Sequence, residues 1–346
     1  TVQICGNFWV TQYLNSLPRM RGMMGSLVPF TIASGHLCVY ILGSLLPLHL
    51  LLVTLVAGPC AVFILFYWYI PQSPVWLITT GKEAECRNVL LRLRGTQYDL
   101  EPEVKELQIL TDITQAGGGL SLKTLTSREF CYPLFLLSSI FLLRAFLGTV
   151  DLADYSLLIF DYPGTNVSAH GVAILFQLAM AMSTLPAPML MSKFGRRVQL
   201  IMGCVITLLC LLVLGAYHFF NLADLHPLLA YTPIVFLVLL GLADGLLVVP
   251  VAYTLAGELF PQQLKSYGSS VGISFNFFGS FIVLKLFPVV RGWLGMQGVY
   301  FIHSSMALLL AGLAFCLLPE TRNKTYTELD GLFKKKSDEV KEKGAI

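Results

Sequence analysis

Charge is what this chain has least of. Of its 346 residues only 12% are Asp, Glu, Lys or Arg, against 55% hydrophobic, and the mean hydropathy is +0.72. From Gly22 to Gly81 there is no charged residue at all, a run of sixty. One helical crossing of a bilayer takes about 20 apolar residues, so this run is long enough to cross, turn at Gly43–Pro47 and cross back. Further charge-free runs follow at Tyr162–Ser192, Val198–Ala223, Leu225–Ala243, Ser266–Leu284 and Gly292–Pro319. So many runs exclude a soluble globular protein and define a polytopic membrane protein.

Other absences narrow the function. The eight cysteines are scattered and form no Cys-x-x-Cys pair, which leaves them as small apolar packing residues. His36 and His303 lie in apolar spans without a second ligand at metal spacing and read as packed or paired histidines. The glycine run at Ala116–Gly119 is not followed by Gly-Lys-Ser/Thr at phosphate-loop spacing. No nucleophile–base constellation stands out. An enzyme is therefore not expected, nor is a cofactor, a metal or a nucleic-acid partner. A cleavable leader is not visible either, because Thr1–Leu14 has no basic start and no small-residue cleavage site.

The charges that are present order the topology. Alternate loops carry Arg19/Arg21, Lys82 to Arg128, Lys193/Arg196/Arg197, Lys265, and Arg322 to Lys343, while the intervening loops are nearly free of Lys and Arg. Basic loops stay on the cytoplasmic side. The predicted spans are Gly25–Leu46, Leu48–Ile70, Phe130–Ile159, Gly171–Ser192, Val198–Phe220, Leu229–Ala256, Gly268–Val289 and Gly298–Leu318. Thr1–Leu14 is too short for a comfortable crossing and reads as the tail of a helix that starts upstream. Four regions result: 1–79 as the remainder of an N-terminal membrane half, 80–129 as a cytoplasmic helical linker, 130–319 as a six-helix half, and 320–346 as a cytoplasmic tail. In the linker, KEAECRNVLLRLRG has apolar residues at helical spacing with Gly95 as a stop, and an acidic helix is expected over Leu100–Thr111. Asn166-Val-Ser is a glycosylation sequon in a loop assigned outside, whereas Asn323-Lys-Thr lies on the cytoplasmic side.

Five motifs then occur in order along the chain: LPRMRG (Leu17–Gly22), PQSPVWLITTGKEAECRNVLLRLRG (Pro71–Gly95), FGRR (Phe194–Arg197), GELFPQQLK (Gly257–Lys265) and PETRNKT (Pro319–Thr325). In order, spacing and sidedness they resemble those of sugar porters of the major facilitator superfamily, particularly the insect facilitated trehalose and sugar transporter group. The resemblance implies an all-α fold carrying family spans 4 to 12, with about three more spans upstream. It also implies a cytoplasmic network at Arg21, Arg196, Arg197, Glu258, Lys265 and Glu320. Carboxylate–guanidinium pairs there can latch a face shut and break when it opens. Positive-inside placement alone would also predict the arginines. Gln72 and Val75 replace a Glu and an Arg of the family pattern, Ser192 replaces an acidic residue, and Lys265 stands for an Arg without its bidentate fork.

The sugar-site positions depart further. Where the family has a Gln-Gln pair and an Asn in the seventh span, this chain has Arg144, Ala145 and Val150. Pro29 and Met180 stand for a Gln and an Asn, and Tyr253 for a Trp, while Asn276 persists with Ser280 one turn on. A charge at the bilayer centre costs about 2.5–3.5 kcal/mol on insertion scales, so Arg144, Asp151 and Asp244 should face a cavity or each other. Asp151, seven residues on, shares a helical face with Arg144, and Asp154 continues that face one turn further out. An Arg144–Asp244 pair, an Arg144–Asp151 pair that only braces the bundle, and a site for a polar or charged ligand all fit. The function expected is secondary transport of a sugar or related small polar solute by alternating access, in the plasma membrane. The alternatives are a non-transporting sensor or decayed relative, and an organic ion transporter.

Overall fold

The computed structural model describes residues 21–67, 71–72, 74–95, 100–101, 104–105, 107–108, 127–155, 168–222, 227–260 and 264–321. Asn166 and Asn323 lie outside these. Among the described residues the chain is helical and contains no strand. It divides into two compact units, Thr1–Ser16 with Leu46–Ser127, and Leu17–Leu45 with Arg128–Ile346.

In the first unit, α2 (Leu48–Tyr67) is an apolar helix whose Leu48–Leu65 stretch buries none of its residues. Such a surface is unstable in water and at home in lipid. Beyond it, α3 (Pro74–Thr79) and α4 (Glu83–Arg94) form the predicted basic helix and its lead-in. Leu77, Cys86 and Leu90 pack with Leu100, Val104 and Leu107 into a small core. Cys86 is a packing residue here, as its scattered placement suggests. On the outside Arg87 bridges Glu83 at 2.9 Å and Glu101 at 2.5 Å, and Gln108 donates to Glu83 at 3.0 Å.

The second unit begins with α1 (Arg21–Leu45) and continues through α5 (Arg128–Ala145), α6 (Thr149–Asp154), α7 (Ala169–Thr184), α8 (Ala187–Phe194) and α9 (Arg196–Phe219). A 3-10 turn at Pro227–Tyr231 leads into α10 (Thr232–Ala243), a π-turn at Asp244–Val248 and α11 (Val249–Glu258). The last element, α12, runs from Lys265 to Leu317. Ser168 caps α7 by accepting from the Gly171 amide at 3.2 Å, satisfying one orphan donor. Prolines sit inside α1, α5 and α12, which neighbouring helices tolerate in membrane spans.

Six helices are long and apolar enough to cross a membrane, and the pair α7–α8, bent by 51°, makes a seventh. The last of these, Tyr267–Leu317, has 51 residues. At about 1.5 Å per residue it measures roughly twice the bilayer core or more. Gly295, at φ 69° and ψ −177°, interrupts it and separates two limbs. Counting the two limbs separately gives eight candidate spans by length and composition among the described residues. The polypeptide stays helical through Arg291 where a loop was expected. The core of this unit joins Leu152 of α6, Phe176 of α7, Leu211 of α9, Leu237 of α10, and Phe287 and Tyr300 from the two limbs of α12.

Candidate functional site

Arg144 stands in the last turn of α5 and is 6% exposed. Its Nη1 donates to Asn276 Oδ1 at 2.7 Å, and its Nη2 lies 3.6 Å from Asp244 Oδ2. Asn276 comes from the first limb of α12. It can approach because Gly279, one turn on, packs against α5 where any Cβ would meet Ala145 at 2.8 Å. Asp244 is fully buried and opens the π-turn, a local widening that often marks functional positions. Thus three elements place one cation, one anion and one amide together.

The pair is open. At 3.6 Å the charges attract without a proper hydrogen bond. Arg144 Nε and both Asp244 oxygens make no hydrogen bond of normal geometry to a described residue. Thr149 faces Asp244 from the start of α6. Tyr253 lies in the field of both Arg144 and Asp244, and its ring meets Phe141 edge-on at 5.5 Å. Ser280 does not reach the group, because its hydroxyl donates back to the Asn276 carbonyl at 2.9 Å.

Asp151 is not part of this arrangement. The shared-face expectation requires an unbroken helix, but α5 stops at Ala145 and α6 starts after Gly148, at φ 85°, so the helical register is interrupted between Arg144 and Asp151. Asp151 Oδ2 instead meets His303 Nε2 at 2.8 Å, while His303 Nδ1 faces the Phe146 carbonyl at 2.8 Å. Of the pairings open from sequence, the structure forms Arg144–Asp244. Asp154 turns outward and accepts from Tyr40 of α1 at 3.2 Å. His303 reads from sequence as a packed or paired histidine, but nothing in the spacing named its partner, 152 positions away.

A second charged cluster gathers at helix ends, around the start of α9 and the end of α11. Arg196 Nη2 bridges Glu258 Oε1 at 2.7 Å, and Thr321 donates to Glu258 Oε2 at 2.7 Å. Glu320 accepts from the backbone amides of Arg196 and Arg197 at 3.0 and 3.3 Å. A carboxylate at the N-terminus of α9 also complements the helix dipole. Arg197 donates to the Phe315 carbonyl and lies over the Phe315 ring. Lys265 is buried at the start of α12, with 2% of its surface exposed. Arg21 begins α1, and its side chain lies outside the description.

Long apolar helices around a buried, part-satisfied polar cluster define a multi-pass membrane protein. The chain matches the family described as "Sugar (and other) transporter" over residues 14–333, and it belongs to that family. Among named relatives, the facilitated trehalose transporter Tret1 of Bombyx mori is 27% identical over 317 residues, spanning 90% of this chain and 62% of that protein. The sugar transporter ERD6 of Arabidopsis thaliana is 28% identical over 299 residues, spanning 85% and 58%. The chain thus spans less than two thirds of these relatives. In fold it is similar to the proton:xylose symporter XylE bound to 6-bromo-6-deoxy-D-glucose, with a TM-score of 0.74 at 19% identity, covering 94% of this chain and 70% of that one. The inward-open conformation of XylE from E. coli gives 0.67 at 17% identity.

Proposed function

We propose that the protein carrying this chain is a secondary transporter of a sugar or a closely related small polyhydroxylated solute. Its solute site centres on Arg144, Asp244 and Asn276, with Tyr253 alongside. The open Arg144–Asp244 pair is the observation that carries this reading. A hydroxyl group both donates and accepts, so a vicinal diol can donate to the carboxylate and accept from the guanidinium at once. Such a solute would satisfy the donors and acceptors that the protein leaves without hydrogen bonds. The opposite charges also neutralise each other, which favours a neutral polyol over an organic ion. The names of the trehalose and sugar transporters among the relatives support the same solute class. Arg196, Arg197, Glu258 and Glu320, with Arg21 and Lys265, are proposed as the cytoplasmic gate, because breakable ion pairs at helix ends suit a face that opens and closes.

The test is exchange of radiolabelled D-glucose and trehalose by the protein in liposomes preloaded with unlabelled sugar. Saturable counterflow of at least one sugar is expected. In Asp244→Asn, one unmet polar contact at about 1–3 kcal/mol should lower it about tenfold or more. Exchange of both sugars no faster than empty liposomes would overturn the assignment, and so would a fully active Asp244→Asn.

A further inference from the structure

We infer that His303 and Asp151 form a dissociable proton-binding site that clasps the broken α5–α6 span to the second limb of α12. Both ring nitrogens of His303 face oxygen at 2.8 Å, Nδ1 toward the Phe146 carbonyl and Nε2 toward Asp151 Oδ2. A carbonyl oxygen cannot donate, so Nδ1 carries hydrogen. The Nε2–Oδ2 contact then also needs a hydrogen, on the ring nitrogen or on the carboxyl group. Either way the pair holds one proton more than a neutral imidazole and a free carboxylate. Its remaining acceptor, Asp151 Oδ1, is buried and makes no hydrogen bond to a described residue.

The location gives this proton a task. Phe146 and Asp151 flank the break at Gly148, and a Cβ on Gly148 would meet the His303 ring at 3.1 Å. Two residues before Phe146 stands Arg144. When the proton leaves, two oxygen or nitrogen lone pairs face each other in a buried site, and one of the two contacts to His303 opens. Occupancy therefore ties α6 to α12, and vacancy frees it, beside the span that presents Arg144. The clasp is present at low pH and lost as pH rises through the value at which the pair releases its proton. Other groups facing this region are Asp154 on the next turn of α6, Tyr40 and His36 of α1 near Asp154, and His218 of α9, which stacks on Tyr300. None of them contacts the His303 ring within the hydrogen bonds above. Of these, Asp154 lies in the field of Asp151.

Hydrogen exchange of the purified protein, read on peptides covering Leu147–Ala153 and Tyr300–Ala307, tests the clasp without any solute. It is therefore independent of the transport proposal. After correction for intrinsic exchange, protection should be high at about pH 5 and about tenfold or more lower at about pH 9. In Asp151→Asn the amide donates to Nε2 and cannot dissociate, so protection should stay high at both ends. In Asp154→Asn the pH dependence should persist. Equal protection at both pH values in the unmodified protein would overturn the inference. So would loss of protection in Asp151→Asn at low pH, or a pH dependence that disappears with Asp154→Asn instead.

Discussion

Arg144 is the residue on which the rest turns, and its surroundings explain why it can be there. A guanidinium in the middle of a membrane bundle is costly alone. Here Asn276 accepts from it and Asp244 balances it. Removing one member of a buried pair leaves the other uncompensated, at about 3–5 kcal/mol. Arg144→Gln should therefore lower the yield of folded protein by detergent size-exclusion chromatography and lower its melting temperature. Adding Asp244→Asn should restore part of that loss, whereas adding Asp151→Asn should not. Restoration by Asp151→Asn alone would show that the pairing is wrong. The sequence made Arg144, Asp244 and Asn276 visible as misfits in apolar spans, because intramembrane polarity needs a reason. It could not choose Arg144's partner, since helical spacing across 144 to 151 assumes a continuous helix and Gly148 ends that continuity.

Among the elements, the interruptions matter more than the regular turns. The spans were readable because a bilayer demands long uncharged runs with basic flanks. The π-turn at Asp244, the bend between α7 and α8, and the break after Ala145 were not, because each depends on what a neighbouring helix offers. Gly245 shows this dependence. A Cβ there would come within 2.2 Å of Ser183 Oγ and 2.4 Å of the Met180 carbonyl oxygen. The hydroxyl can rotate away, but the backbone carbonyl cannot without moving α7. Gly245→Ala should therefore push the π-turn off α7 and displace Asp244. Overpacking of this kind costs about 1–3 kcal/mol. The expected outcome is a lower melting temperature with sugar exchange reduced as well, measured on the same preparation. An unchanged melting temperature would mean that α7 and the π-turn do not pack as closely as described.

At the scale of the whole molecule, long apolar helices able to cross a membrane, two limbs of α12 meeting at Gly295 and a match to the sugar transporter family over residues 14–333 are mutually consistent. The charged cluster of Arg196, Glu258 and Glu320 and the polar cluster at Arg144 lie in the same unit but depend on different physics. One sits at helix ends where water and dipoles support charge. The other is buried, where only pairing does. The motifs in the loops were legible as family marks, while the polar cluster at Arg144 was legible only as a departure from them. The most direct test is a cryo-electron microscopy structure of the protein in lipid nanodiscs with saturating D-glucose or trehalose. Density for a sugar is predicted beside Arg144, Asp244 and Asn276, with hydroxyls hydrogen-bonded to both members of the ion pair, which now stand 3.6 Å apart. A sugar bound elsewhere, with Arg144 and Asp244 closed directly onto each other, would contradict it.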